Sequence, residues 1–184
     1  PASDQCARAG LYSFICDVDQ LMILQWTILA FVIVQRLSEL VIAQRNTTRL
    51  LAAGGYEVGR GHYPAMVLLH TSWLVCLIWL APSQPVSWLF LACYAVLQVF
   101  RVWILTTMGK RWTTRIIVVP GEQLVASGPY RFVRHPNYVL VTAEIACLPM
   151  VFGLWWVALV FTVLNAAMLY VRISAENAAL ADSR

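Results

Sequence analysis

Apolar residues in this chain come in long runs parted by short polar stretches. Neither the two-residue alternation of a half-buried strand nor a single narrow helical stripe organises them. The runs cover about residues 21–43, 65–81, 86–108, 136–152 and 154–180, each near the roughly 20 residues that carry an α-helix across a bilayer. The pattern predicts an all-α integral membrane protein with about five transmembrane helices. Residues 1–20 hold Asp4, Asp17 and Asp19 against Arg8, without a sustained apolar run and without the basic start or cleavage site of a secretory signal. They are expected to form a loosely ordered lead-in to a single domain over residues 21–184.

Turns and charge set the expected topology. The uncharged PSQP at positions 82–85 parts the second and third runs, and a turn near 149–153 parts the short fourth run from the fifth. The two longer connections are basic, with Arg45, Arg49 and Arg60 against Glu57 in one and Lys110, Arg111, Arg115, Arg131 and Arg134 against Glu122 in the other. Basic loops stay on the cytoplasmic side, so a multi-pass chain that starts outside and ends inside is expected. Composition agrees: 60% of the 184 residues are hydrophobic and eight are Trp, well above the apolar share of soluble domains. The net charge of +4 gathers in the loops, where it speaks for orientation and against nucleic acid as a partner. Of five cysteines, Cys76, Cys93 and Cys147 fall inside apolar runs as small core residues, while Cys6 and Cys16 could pair if they face an oxidising side. With no CxxC pair and three histidines outside any HExxH pattern, no metal site is expected. The loop glycines stop short of GxGxxG, because Pro64 stands at the last position, which counts against a dinucleotide fold.

Polar residues inside the runs mark faces turned toward other helices and away from lipid. Arg36 and Glu39 stand three apart and can pair on one face of the first helix. Asn137, Val141 and Glu144 share a face of the fourth, and Asn165, Arg172 and Glu176 a face of the fifth. Glu144 lies seven residues inward from Asn137, and Asn165 seven inward from Arg172, roughly 10 Å in a helix. Arg101 reaches a similar depth in the third. A carboxylate at that depth needs a partner, and Arg101 or Asn165 can supply it, either as a structural tie between helices or as part of a translocation path.

Between the second basic loop and the fourth run stands GPYRFVRHPNY, residues 128–138. Pro136 lacks an N–H and presets its φ, so it opens a helix and pushes His135 into the capping position. The free N–H groups of that helix end then face Arg131, Arg134 and His135, a ready site for an anionic group such as a carboxylate. An interfacial anchor of arginine and tyrosine would have the same composition.

LVASGPYRFVRHPNY, followed 34 residues after Tyr138 by Arg172 and four further on by Glu176, resembles the isoprenylcysteine carboxyl methyltransferases and their bacterial relatives. The resemblance covers about residues 110–180, the expected catalytic core; the earlier spans resemble the family in hydropathy alone. It implies a membrane methyltransferase using S-adenosyl-L-methionine, held in a cytoplasmic pocket of the last two helices and the loop before them, and in a bacterium the inner membrane. Position by position, Glu122, Gln123, Leu124 and Val125 correspond to the family's cofactor-contacting segment and Tyr130 to its tyrosine. His135, Pro136, Asn137 and Tyr138 correspond to the HPxY contacts, Glu176 to the carboxylate on the cofactor, and Arg172 to the arginine assigned to the acceptor. Asn177 departs from the family, which often has a second acid there.

GKRWTTRIIVVPG and HYPAMVLLH are similar to bacterial members that O-methylate long-chain alkylpyrones and alkylresorcinols. The implied acceptor is lipophilic, a small molecule or a prenylated one, with an acidic hydroxyl or carboxyl group. A phospholipid amine as acceptor, or a non-enzymatic scaffold or transporter, is the alternative. Methyl transfer from a sulfonium loses charge, so the protein's work is proximity, orientation and exclusion of water. Arginine cannot act as a base at neutral pH, so Arg172 would favour and aim the ionised acceptor oxygen. A phenol would call for a general base, and the loops offer His62 or His135.

Overall fold

A computed structural model describes the backbone of residues 2–122 and 125–182 and the side chains of residues 20–82, 84–122 and 125–176. Among the described residues five α-helices carry most of the chain: α1 (Ala2–Ala52), α2 (Tyr63–Leu80), α3 (Trp88–Met108), α4 (Pro136–Val151) and α5 (Trp155–Asp182). The stretches Gln20–Ala52, Arg60–Leu80, Trp88–Arg111 and Trp155–Glu176 are long and apolar enough to cross a membrane. Helix α4 has 16 residues, about 24 Å of helix, short of the roughly 30 Å hydrocarbon core. Large apolar side chains face outward on every long helix, among them Val34, Trp79, Leu89 and Val163, which suits a lipid-facing surface and not a water-facing one. The chain is an all-α membrane protein.

The first helix corrects one expectation. Its backbone is helical from Ala2, so the segment read as a loose lead-in continues the first span without a break. Between Ala2 and Ala52 there is no proline and a single glycine, Gly10, so nothing interrupts the hydrogen-bond ladder. The side chains of Cys6 and Cys16, and with them their possible pairing, lie outside the described residues.

Helices α1 and α4 stop in the same way. Gly54 (φ 89°) and Gly153 (φ 67°) take the left-handed position after the helix. Gly55 N then bonds Leu50 O and Gly54 N bonds Leu51 O, as Leu154 N bonds Pro149 O and Gly153 N bonds Met150 O. This bond pair closes a helix where the residue carries no Cβ. Pro149, without an N–H, already loosens the last turn of α4. The expected turn near 149–153 is therefore present, and it is tied to the PSQP turn by a bond from Ser87 N to Val151 O of 2.7 Å.

At the opposite end the two basic connections are joined by a ribbon that the sequence pattern did not disclose. Strand β1 (Tyr56–Val58) pairs antiparallel with β2 (Ile116–Val118), with Glu57 opposite Ile117. Arg115 Nη1 reaches both Glu57 carboxylate oxygens, at 2.9 and 3.0 Å, and its guanidinium lies 4.4 Å over the Tyr63 ring. The ribbon holds the residues just before β2 against α1, where Asn46 Nδ2 donates to the Trp112 carbonyl at 2.8 Å.

The helices share one layering. Leu29 and Val32 of α1, Trp73 and Leu77 of α2, Tyr94 of α3, Ile145 and Leu148 of α4 and Phe161 of α5 form a common core toward the turn end. Toward the loop end the same helices carry Arg36, His70, Arg101, Glu144 and Arg172 in the same order. Helix α4 packs between α3 and α5.

Candidate active site

The innermost polar layer is a cluster of four charges from three helices. Glu144, fully enclosed, accepts from Arg36 Nη2 at 2.8 Å and from Arg101 Nε at 2.7 Å, and Arg101 Nη2 also donates to it. Glu39 accepts from Arg36 Nη1 and from Arg101 Nη1, each at 3.1 Å. Gln98 Nε2 adds a bond to Glu144 Oε1 at 3.1 Å, and Gln35 Nε2 bonds Gln98 Oε1 at 2.7 Å. Glu144 thus has the expected partner in Arg101 and an unforeseen one in Arg36. Asn165 instead donates to Thr142 Oγ1 at 3.0 Å. Two cations and two anions balance, which is the condition under which buried charges are tolerated.

The second layer lies at the loop end. His135 caps α4 with φ −129° and ψ 64°, and Pro136 follows in the first turn. The His135 ring stacks on Tyr138, centroids 5.2 Å apart and planes at 15°. From α5, Glu176 Oε2 accepts the Tyr138 hydroxyl at 2.5 Å and stands 3.7 Å from His135 Nδ1. Arg172 Nε donates to the same hydroxyl at 2.9 Å. Arg172 is 6% exposed and is held further by the Thr114 carbonyl at 2.7 Å and the Met66 sulfur at 2.8 Å. Tyr130, on the short turn Gly128–Arg131, also faces Glu176. Burial, with the negative charge of Glu176 adding to it, pushes the Tyr130 hydroxyl up to about 12, so it is a neutral donor at physiological pH.

Between the two layers lies a cavity of about 370 Å³ bounded by α1, α2, α4, α5 and residues 112–114. Leu37, Leu40, Val67, Val141 and Leu169 give it apolar walls, and Arg172, Tyr138 and Asn137 line it at the loop end. Arg36, Glu39 and Arg101 line its inner end. Asn137 Oδ1, Trp73 Nε1 and Trp112 Nε1, all on cavity-lining residues, are buried without a partner among the described residues. Buried polar atoms are rarely left so, and here one acceptor and two donors are unsatisfied.

Tyr130, His135, Pro136, Asn137, Tyr138, Arg172 and Glu176 are therefore brought together as the end of α4 meets α5. Glu122 instead pairs with Arg111 at 2.6 Å, and neither it nor the half-buried Val125 lines the cavity. Gln123 and Leu124 lie outside the described residues. Sequence reasoning missed Met66, His70, Trp112 and Thr114. The available signal was the four-residue step from Met66 to His70, which places a polar group one turn into an apolar helix. Among the described residues no cluster of three or more histidines, cysteines or acids has a metal-binding arrangement.

Residues 88–182, from the start of α3 to the end of α5, match the isoprenylcysteine carboxyl methyltransferase (ICMT) family. An uncharacterized protein of Bacillus subtilis (strain 168), YpbQ, is 38% identical over 163 residues, which cover 85% of this chain and 96% of that protein. An uncharacterized protein of Haemophilus influenzae is 26% identical over 159 residues, covering 82% of this chain and 91% of its own. No solved structure matches. Since the family match takes in more than half of the chain, this membrane protein belongs to the isoprenylcysteine carboxyl methyltransferase family, a family of methyltransferases.

Proposed function

We propose that the protein transfers a methyl group from S-adenosyl-L-methionine to an oxygen of a lipophilic acceptor. The observation that carries this reading is a partition: Asn137, Tyr138 and Arg172 separate an apolar cavity among membrane helices from the polar cluster of Tyr130, His135 and Glu176. One side suits an aliphatic tail, the other a charged, water-soluble donor.

When bound, S-adenosyl-L-methionine supplies an electrophilic methyl group on a sulfonium. The residues present fit it. The Glu176 side chain, a quarter exposed at 25%, would hold its ammonium group. The faces of Tyr130 and Tyr138 would hold the positive sulfur at ~0.5–2 kcal/mol each, and the orphan Asn137 Oδ1 would accept a further N–H. The free N–H groups of the α4 N-terminus, behind Pro136, would take the carboxylate. By the family resemblance, Glu122, Gln123, Leu124 and Val125 would contribute contacts to the donor.

Arg172 serves the acceptor. Three of its N–H groups are engaged by Tyr138, Met66 and Thr114, and a guanidinium has five. The remaining two can aim an acceptor oxygen, and the fixed fork holds it in one geometry. The apolar walls exclude water from that oxygen. The basic loops orient this end toward the cytoplasm, in a bacterium across the inner membrane.

Titration of the purified protein with S-adenosylhomocysteine tests donor binding, and absence of binding would sink the proposal. Lipid extracts of cells with and without the protein are then expected to differ by a species one CH2 heavier.

A further inference from the structure

Of the three histidines, His70 alone lines the cavity. Its Nδ1 lies 2.8 Å from the Met66 carbonyl oxygen, one turn back on α2. A carbonyl only accepts, so Nδ1 carries the hydrogen, and in the neutral ring Nε2 is left with a lone pair. Nε2 has no partner among the described residues, and the ring belongs to the lining of the cavity. The bond to the carbonyl four residues back lays the ring toward the N-terminal side of its own turn. One turn back on the same helix the Met66 sulfur meets Arg172 Nη1, and Met66, His70 and Arg172 all line the cavity. An acceptor oxygen resting on Arg172 would share the cavity with the His70 ring.

The other groups at the cavity do not offer a base. Among the described residues Glu39 is the one acid that lines it, and Arg36 and Arg101 both hold its carboxylate. Glu144 is held by the same two arginines. Tyr138 spends its proton on Glu176. The charged groups that face the His70 ring from the neighbouring helices are Arg36 of α1, Arg101 of α3 and Arg172 of α5.

We propose that His70 is the general base of the transfer, taking the proton of a hydroxyl acceptor. This rests on the methyl-transfer reading above. A carboxylic acid is already ionised at neutral pH and gives such a base nothing to do. In the step, the acceptor oxygen forms a bond to the methyl carbon while its proton passes to Nε2. The carbon–sulfur bond breaks with its electron pair left on sulfur, which becomes a neutral thioether. The ring returns the proton to water as the methyl ether leaves. One hydroxyl compound and one sulfonium give one methyl ether, one thioether and one proton.

The test uses the full chain in detergent or lipid discs and a series of alkylphenols that differ in ring acidity. For the unaltered protein, kcat/KM is expected to rise with pH through one inflection that stays in place across the series. An inflection that moves with each phenol's own acidity would show that the acceptor ionises unaided, and would overturn the proposal without any variant. His70→Gln is expected to bind S-adenosylhomocysteine normally and to lose about 10²- to 10⁴-fold in rate at neutral pH. The loss should shrink for more acidic phenols and at higher pH, and added imidazole should restore part of the rate to His70→Ala. A loss that is the same for every phenol and every pH would assign His70 a packing role. If the unaltered protein binds the thioether and methylates long-chain carboxylic acids but no phenol, the proposal fails while the methyl-transfer reading stands. If it binds no donor at all, both fail.

Discussion

The Tyr138 hydroxyl joins the two halves of the site, donating to Glu176 at 2.5 Å and accepting from Arg172 Nε at 2.9 Å. The two charged residues sit one turn apart on α5, and the proposed function assigns them different ligands. On the proposed function, Glu176→Ala would remove a charge-assisted contact to the donor's ammonium group, worth ~1.5–3 kcal/mol, so affinity for S-adenosylhomocysteine is expected to fall about ten- to a hundredfold. Arg172→Ala is expected to hold that affinity within about threefold and to lower turnover instead. Arg172→Lys should rescue little, because one ammonium cannot meet Tyr138, Thr114 and Met66 in the geometry of a guanidinium. Calorimetry beside transfer assays separates the two residues. Equal loss of affinity in both would make them one clamp on the donor. Part of this cluster was legible in the sequence, because Pro136 sets the helix start at His135 and the helical period sets Arg172 and Glu176 on one face of α5; Tyr130 and Tyr138 were singled out by the family resemblance. Thr114, Met66 and His70 were not, since they reach Arg172 or the cavity only through packing of α2 and the ribbon onto α5.

At the scale of elements, helix ends were readable where proline and glycine dictate them. Pro136 opens α4, and Pro149 with Gly153 closes it. Pairing between helices was readable only in part: depth along each helix nominated Arg101 for Glu144, but not which face of α1 would turn inward. Arg36 was read with Glu39 on its own helix, and its other amino group reaches Glu144, 108 residues away. The β1–β2 ribbon escaped notice because strands of three residues are too short to show alternation. The four-charge cluster carries its own prediction. Glu144→Gln leaves Arg36 and Arg101 to share Glu39, an uncompensated buried cation, at a cost of about 3–5 kcal/mol. The expected readout is a lower unfolding temperature in detergent, with affinity for S-adenosylhomocysteine kept within about tenfold, ~1.4 kcal/mol. Exchanging Arg101 and Glu144 together for methionine keeps the charge balanced and should cost less than either change alone. A double variant as unstable as the worse single one would mean that hydrogen bonds, and not charge balance, tie α1, α3 and α4 together.

For the whole molecule, hydropathy alone set the class, because outward-facing apolar residues cover every long helix and water could not solvate them. It did not settle the first twenty residues, where a helix without breakers simply continues. The basic loops predict that the site faces the cytoplasm and that Cys6 and Cys16 lie outside. A membrane-impermeant thiol reagent on intact cells, after a reductant, should label both. Labelling only once the membrane is opened would turn the protein over.

The most direct measurement of the central claim is transfer itself. Purified protein is incubated with S-adenosyl-L-methionine carrying an isotopic methyl label and a lipid extract from cells that lack the protein, and the organic phase is analysed. Expected is label in a lipid one CH2 heavier than its precursor, with the signal lost in Arg172→Ala and reduced in Glu176→Ala. Label that never enters the organic phase, or enters it equally with both variants, would contradict methyl transfer at this site.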